Sequence, residues 1–382
     1  MIAIASLSTR FLSEVASQSH QKVFSMDVFG DLETLKHSEK WLSIGSSSPF
    51  PSIDEDRFLD ALERTKRSGC TFWVAGSGFE KNFRLLKLAD DILPRLGVSS
   101  LVFEKIRNPK VFFSTLDVFE IPYPKVSFSA KTPHDFQQNW LKKSLCCCGG
   151  LGVRKSVENL DERSSFFQQE IDGLHLSASF IGNGQDIIFL GVCKLLNRRI
   201  DNFPYIYSGI LGPVNLSNLI LKRLEGYALC LSKAFHLKGY FGLDFILKEN
   251  MLYILELNPR LTSSLEVFEK KYDGLLFNCH CDIFLQGDQF DLLCLEELKK
   301  ITKVDDKCFG ISIIFAPKNM EITELEIKLL REISYTTDCP ASGRLIEKNQ
   351  PLCSVFSEGH NLLYLQESLE TMEREIMQLF CK

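Results

Sequence analysis

The chain has 382 residues, with 45% apolar and 24% charged residues and a formal net charge of -5, ordinary usage for a globular protein with room for two or three cores. No run of Lys and Arg marks a phosphate-backbone stripe, so a nucleic-acid partner is not expected. No window approaches the roughly 20 apolar residues that span a bilayer. MIAIASLSTR has neither the basic start nor the apolar length of a secretion signal, so a cytoplasmic location without a membrane partner is the expectation.

The first block, 1–100, alternates strand and helix patterns. IAIAS (2–6) reads as a strand, 9–19 as a helix, and VFSMDVF (23–29) as a second strand ending near Asp27. Asp54 to Arg67 reads as a helix with FLDAL on one face, TFWVAG (71–76) as a third strand, and the stretch after GSGFE as a helix through Leu88. Such alternation predicts a parallel sheet with crossover helices. The first strand is not followed by G-x-G-x-x-G, so a dinucleotide site is not expected.

Residues 101–140 read as a linking region with a helix over 109–119 and the stiff segment IPYP (121–124). Residues 141–300 alternate short apolar strands with polar turns. The last block, 305–382, opens on the strand GISIIF (310–315) and ends on the helix ESLETMEREIMQLF, whose apolar residues recur at helical spacing.

The 13 cysteines are odd in number and scattered, apart from Cys146, Cys147 and Cys148, and read as reduced thiols that pack as small apolar side chains. Cys279-His280-Cys281 has no second Cys/His pair at finger spacing, so zinc is not expected there.

The densest chemistry lies in GYFGLDFILKENMLYILELNPR (239–260). FGLDFIL and MLYILEL read as antiparallel strands joined at KEN, which brings Asp244 across from Glu256. Glu256 and Asn258 are two apart and share a strand face. Two carboxylates and an amide at the end of an apolar hairpin are costly unless a cation neutralises them, and an all-oxygen set suits Mg²⁺, with Mn²⁺ an alternative. Arg260, just beyond Pro259, is suited to a phosphate or carboxylate.

Two further segments support a nucleotide. In WLKKSLCCCGGLGV (140–153) a strand carrying Lys142 and Lys143 runs into a loop with Gly149, Gly150 and Gly152, whose backbone N–H groups can approach phosphates. The spacing is not that of a Walker A loop. In SSFFQQEIDGLHLSASFIGNG (164–184) a strand enters the polar linker Gln168 to Gly173, able to offer backbone groups to an adenine edge.

Together and in this order, these segments resemble the ATP-grasp superfamily, and more closely its predicted carboligases related to biotin carboxylase. VFSMDVFGDLET, WVAGSGFE, YSGILGPV and DCPASGRLIEKNQPLCSVF add to the resemblance, which covers nearly the whole chain. It implies a mixed α/β and α+β fold: a Rossmann-like pre-grasp domain (1–100), two ATP-grasp lobes (101–300) and a small C-terminal α/β appendage (305–382) packed on the first domain. It implies a Mg-ATP-dependent, ADP-forming ligase that joins a carboxylate to an amine or thiol through an acyl phosphate, as in cofactor assembly in one-carbon metabolism. The alternatives are a bicarbonate-using carboxylase and a non-catalytic ATP-binding subunit. Related folds are often dimers.

The resemblance also implies residue roles. Lys143 would hold the α/β-phosphates, and Gly149, Gly150 and Gly152 would cover the β/γ-phosphates. The Gln169 C=O and Ile171 N–H would meet adenine. Asp244, Glu256 and Asn258 would hold Mg²⁺, Glu256 between two ions. Arg260 would face the transferred phosphoryl group, and Arg107 or Lys110 would reach the phosphates. Departures from the family pattern cluster at the nucleotide: Ser144 replaces a common proline, cysteines fill the loop, Gln168 stands where Glu is frequent, and His175 replaces a ribose-binding carboxylate that Asp172 could supply.

Overall fold

The computed structural model describes residues 1–80, 82–129, 140–145, 147–155, 164–272, 274–287 and 307–380. Cys146 and the boundary between the second and third blocks, at 300–305, lie outside them.

The first block is a four-stranded parallel sheet of β1 (Ile2–Ala5), β2 (Val23–Asp27), β3 (Lys40–Ser43) and β4 (Phe72–Ala75), in the order β3-β2-β1-β4. α1 (Arg10–Gln18), α2 (Glu55–Arg67) and α3 (Phe83–Ile92) accompany it. Every residue of β1 is buried, which explains its unbroken apolar run. Asp54 caps α2 by accepting from Arg57 N at 2.9 Å. Asp27 ends β2 as a fully bonded hub, accepting from Thr9 N (2.9 Å), Thr9 Oγ1 (2.8 Å), Phe29 N (3.0 Å), Gly30 N (2.9 Å) and Trp41 Nε1 (2.7 Å). The strand order reverses direction at β1, so a crevice opens outside the carboxyl ends of β1 and β4.

The linking region holds two helices rather than the one expected, α4 (Ser100–Arg107) and α5 (Pro109–Val118). Asn108 separates them, with Pro109 at the first helical position and the Asn108 side chain accepting from Lys110 N at 3.1 Å. A small antiparallel sheet follows: β5 (Val126–Ser127), β6 (Trp140–Ser144), β7 (Val153–Arg154) and β8 (Ser165–Gln169), in the order β5-β8-β6-β7.

The large sheet begins with β9 (Leu174–Asn183), β10 (Ile187–Ile200), β11 (Phe203–Gly212), β12 (Lys238–Lys248) and β13 (Met251–Asn258). Glu249 and Asn250, both at positive φ (49° and 67°), form the two-residue turn of the β12–β13 hairpin. α6 (Asn218–Phe235) covers the back of this sheet. Its Ile220, Leu224, Ala228, Leu231 and Phe235 recur at helical spacing and pack on Leu176, Phe180, Phe241 and Leu243. α7 (Ser264–Tyr272) and α8 (Leu275–Gln286) continue from the hairpin.

The C-terminal block touches the first domain and also prolongs the large sheet. β14 (Cys308–Phe315) pairs with β11, and β16 (Pro351–Gly359) and β15 (Thr336–Thr337) complete the order β13-β12-β9-β10-β11-β14-β16-β15. α9 (Glu324–Glu332) and α10 (Leu362–Phe380) flank it. Toward the first domain, Leu32 N donates to Cys339 O (2.8 Å) and Arg344 Nη1 to Phe29 O (2.6 Å). The buried Arg10 joins all three blocks. It donates through Nη2 to Glu266 Oε2 (2.8 Å), through Nη1 also to Glu266, and through Nε to Asp338 Oδ1 (2.9 Å).

Candidate functional site

A cleft of about 1800 Å³ separates the small sheet from the β9–β13 hairpin face. The β12–β13 register places Asp244 opposite Glu256 and Gly242 opposite Asn258, with a bulge just after Asp244. Asn258 Nδ2 donates to Asp244 Oδ2 at 3.1 Å and to Glu256 Oε1 at 3.3 Å. The three side chains thus converge on one spot, as the strand spacing predicts.

The electrostatics expose a deficit of positive charge at this spot. Burial, and next the charge of Glu256, push the Asp244 carboxyl up to about 8, although Ser177 donates to it. Burial works against Glu256 too, but Arg107 and Lys143 outweigh it and hold Glu256 down to about 2. That hold is softened by cleft water, since 45% of the Glu256 side chain is exposed. Two carboxylates that cannot both ionise freely, beside an amide, form a donor set that fits Mg²⁺ or Mn²⁺: either ion would let Asp244 ionise and would take the Asn258 oxygen.

Cations surround this set. Arg107 Nη1 lies 3.3 Å from Glu256 Oε2. Lys110, its alternative in the sequence, instead places Nζ 5.7 Å from the centre of the Phe128 ring. Both lysines of β6 are paired in the sheet, and strand alternation separates their side chains: Lys143 lines the cleft, within reach of the charges of Glu256 and Asp244, and Lys142 is not among the described residues that line it. Burial pulls the Lys143 pKa down; Glu256 and Asp244 resist this and Arg107 adds to it. Arg260 Nη2 sits 2.7 Å from Glu80 Oε1, a contact between side chains only 13% and 3% exposed. Burial disfavours the Arg260 charge, yet Glu80 leads the groups that keep its pKa raised.

The glycine loop closes over the cleft by docking on β11. Tyr207 N donates to Gly149 O at 3.0 Å. Gly150, at φ +78°, packs so tightly that a Cβ would stand 1.7 Å from Tyr205 O. Beyond the loop, Lys155 Nζ lies 3.1 Å from Glu170 Oε1, and Tyr205 donates to the same carboxylate. Cys148 donates its thiol to Glu80, and burial raises its pKa, so it is a neutral thiol rather than a nucleophile.

At the other end lie the linker residues. Gln168, Gln169, Ile171, Asp172 and His175 all line the cleft. Gln169 N donates to Lys125 O at 2.8 Å, which fixes the linker, and Gln168 Nε2 is buried without a hydrogen-bond partner among the described residues. Asn197 Nδ2 donates to His175 Nδ1 at 2.7 Å. Burial, and then the charge of Lys143, pull His175 down to about 4, so at pH 7 it is a neutral hydrogen-bonding group.

Two features escape sequence reading. Glu80 lies in GSGFE with no carboxylate spacing to mark it, and the Tyr205–Glu170–Lys155 cluster joins three separate segments: the end of the glycine loop, the polar linker and β11. His280 of the Cys-His-Cys cluster is used internally: Tyr240 N donates to its Nδ1 (2.9 Å) and its Nε2 donates to Leu96 O (3.1 Å). Among the described residues no three His, Cys, Asp or Glu side chains converge to hold a metal, and no helix is long and apolar enough to cross a membrane.

Residues 110–264 match the ATP-grasp domain family. Tyramine–L-glutamate ligase of Methanocaldococcus jannaschii is 30% identical over 148 residues, covering 38% of this chain and 43% of that protein, so the chain spans less than half of this relative's length. Among solved structures, biotin carboxylase of Campylobacter jejuni superposes with a TM-score of 0.68 at 13% identity, covering 96% of this chain and 89% of the other. L-amino acid ligase of Bacillus licheniformis gives a TM-score of 0.67 at 14% identity, covering 99% and 96%. These likenesses extend through all three blocks and are likenesses of fold.

Proposed function

Because this chain carries an ATP-grasp domain, we propose that the protein is an ATP-dependent ligase that activates a carboxylate as an acyl phosphate and transfers the acyl group to an amine. The observation that carries this reading is the convergence of Asp244, Glu256 and Asn258 with Lys143, Arg107 and Arg260 in one cleft, a cation-requiring donor set ringed by anion-binding side chains.

An oxygen of the substrate carboxylate attacks the γ-phosphorus of ATP. The bond to the β–γ bridging oxygen breaks, ADP leaves with that electron pair, and the acyl phosphate remains. The amine then attacks the acyl carbon, inorganic phosphate leaves, and the amine gives up a proton. Asp244, Glu256 and Asn258 would hold Mg²⁺, whose charge, when bound, offsets that of the phosphate oxygens. Lys143 reaches into the cleft to the α- and β-phosphates, and the anions it meets there restore the proton that burial weakens. Arg107 turns from Glu256 to phosphate, and Arg260 faces the transferred phosphoryl group. Gln169 and Ile171 offer backbone groups to adenine, with His175 and Asp172 near the ribose. The loop carrying Gly149, Gly150 and Gly152 excludes water, which would otherwise hydrolyse the acyl phosphate.

The relative's name makes L-glutamate and tyramine the first substrates to test. The experiment is Mg-ATP-dependent ADP release with and without them, beside thermal unfolding of the wild type and Glu256→Gln. Mg-ATP at about 100 times its Kd should stabilise the wild type by roughly 2.7 kcal/mol, and the variant far less. No stabilisation of the folded wild type would remove the nucleotide reading. Release that needs bicarbonate alone would replace the ligase by a carboxylase, and binding without release under any of these conditions would leave an ATP-binding module.

A further inference from the structure

Two stretches that stand out in the sequence, VFSMDVFGDLET and DCPASGRLIEKNQPLCSVF, contribute no residue to the lining of the cleft, and the fold brings them together. Leu32 N donates to Cys339 O (2.8 Å), Cys339 N to Glu33 Oε2 (2.9 Å), and Arg344 Nη1 to Phe29 O (2.6 Å). Asp338 enters this contact at φ +54°, a left-handed position that its surroundings must hold, its Oδ1 accepting from Arg10 Nε at 2.9 Å. The contact also braces the cleft from behind: Val28 N donates to Leu7 O (3.2 Å), and Leu7 lines the cleft wall.

The carboxylates that meet here are served unequally. Asp27 accepts from five N–H and O–H donors, and Asp338 is paired with Arg10. Asp31, only 2% exposed, bonds one residue of its own turn, Oδ1 accepting from Thr34 N (2.7 Å) and Oδ2 from Thr34 Oγ1 (2.9 Å). Asp27 faces it from the end of β2, and Glu33 and the exposed Lys36 stand on its own short helix, Leu32–Lys36. From the C-terminal block come Asp338, Arg344 and the thiols of Cys339 and Cys353, which burial raises and keeps neutral. Arg344 commits Nη1 to Phe29 O, and Arg10, beyond Asp338, also serves Glu266. Four carboxylates, Asp27, Asp31, Glu33 and Asp338, therefore meet two guanidiniums that already have other partners. Burial, then the charges of Asp338 and Asp27, push the Asp31 carboxyl up to about 8 while the stretches are docked. Once they part, Asp31 meets water and returns toward its ordinary 3.8.

We propose that the contact between residues 27–34 and 338–344 is a pH-sensitive clasp between the first domain and the C-terminal block: it stays shut while the Asp31 carboxyl is neutral and loosens when that carboxyl ionises against Asp338. The clasp stands independently of the ligase reading, since none of its residues lines the cleft. The docked form holds a proton that the parted form releases, so opening gains as pH rises from 3.8 and levels off above about 8.

Cys339, 1% exposed and itself part of the contact, reports its opening. The full reduced chain, without nucleotide, is pulsed with N-ethylmaleimide at pH values from 6 to 9, and labelling is read at each cysteine by peptide mass spectrometry. Dividing the rate for the urea-unfolded chain at the same pH by the native rate gives a protection factor and removes the titration of the thiol itself. In the wild type, protection of Cys339 should fall at least about tenfold between pH 6 and pH 8, out of the roughly 50-fold that full linkage gives, and level off by pH 9. In Asp31→Asn, whose amide oxygen still caps Thr34 N, it should be flat. Cys193 and Cys281, buried elsewhere in the fold, should stay protected throughout in both proteins. A smaller fall in the wild type would overturn the clasp. An equal fall in folded Asp31→Asn would overturn it too, by assigning the pH dependence to another group. Losses at Cys193 and Cys281 in step with Cys339 would overturn it by placing the response in the whole fold. If Asp31→Asn does not fold, as loss of protection at Cys193 at pH 6 would show, Asp31→Ser supplies the same cap without a titrating group and is held to the same flat profile.

Discussion

Gly150→Ala isolates the contribution of the glycine loop. Gly150 sits at φ +78°, and an added Cβ would lie 1.7 Å from Tyr205 O and 2.6 Å from Tyr205 C, backbone atoms of β11 rather than the end of a flexible side chain. The left-handed backbone costs an L-residue about 1–2 kcal/mol. Relieving the clash requires the loop to lift from β11, which breaks the Tyr207 N to Gly149 O bond, about 1 kcal/mol more. The docked loop is thus disfavoured by about 2–3 kcal/mol, equivalent to about 30- to 140-fold in its population at 1.4 kcal/mol per tenfold. If Mg-ATP binds to the docked loop, its apparent affinity falls by the same factor. Isothermal titration with a non-hydrolysable Mg-ATP analogue measures this. Gly69→Ala is the control: it carries the same kind of backbone penalty at φ +95°, but nothing lies within 4 Å of its Cβ, so affinity should hold while stability drops. Equal affinities for Gly150→Ala and wild type would refute the docked loop as part of the nucleotide site.

The Asp244 carboxyl, raised in the fold to about 8, favours folding while protonated, and that contribution is lost as pH rises from its unfolded value of 3.8 through the folded one. In EDTA, Asp244→Asn should therefore be more resistant to urea than wild type at pH 8, the difference shrinking toward pH 5; an equal midpoint at pH 8 would mean that the hairpin carboxylates do not strain the metal-free protein. Glu256, held to about 2, acts oppositely, contributing stability above pH 4.5 that is lost toward pH 2, so Glu256→Gln should be less stable than wild type near neutral pH in the same urea assay. Arg10→Met would leave Glu266 and Asp338 without their shared buried partner and should cost about 3–5 kcal/mol in chemical denaturation. A loss below about 1 kcal/mol would mean that the three blocks do not depend on this junction.

Local chemistry made much of this protein legible. Strand and helix periods identified β1, β2, β4, α1, α2 and α5, because each buries one continuous run or one stripe. The Lys-Glu-Asn turn and the two-residue spacing of Glu256 and Asn258 placed the donor set, since hairpin geometry is dictated by neighbours in the chain. The extra helix α4 was hidden because only Phe103 and Ile106 of its eight residues are buried, too thin a stripe to read.

What remained depended on partners far apart in sequence. Lys143 and Lys142 are chemically alike, and the pairing of β6 with β8 and β7 decided which of them faces the carboxylates. Arg107 meets Glu256 although they stand 149 positions apart in the chain, and Glu80 meets Arg260 through the docking of one sheet's loops on another's hairpin. The sequence by itself determined which side chains carry the charge and which backbone positions must be glycine. The tertiary structure alone decided which charges are neutralised within the protein and which keep donors for a ligand, because burial and through-space contact between distant segments set that balance.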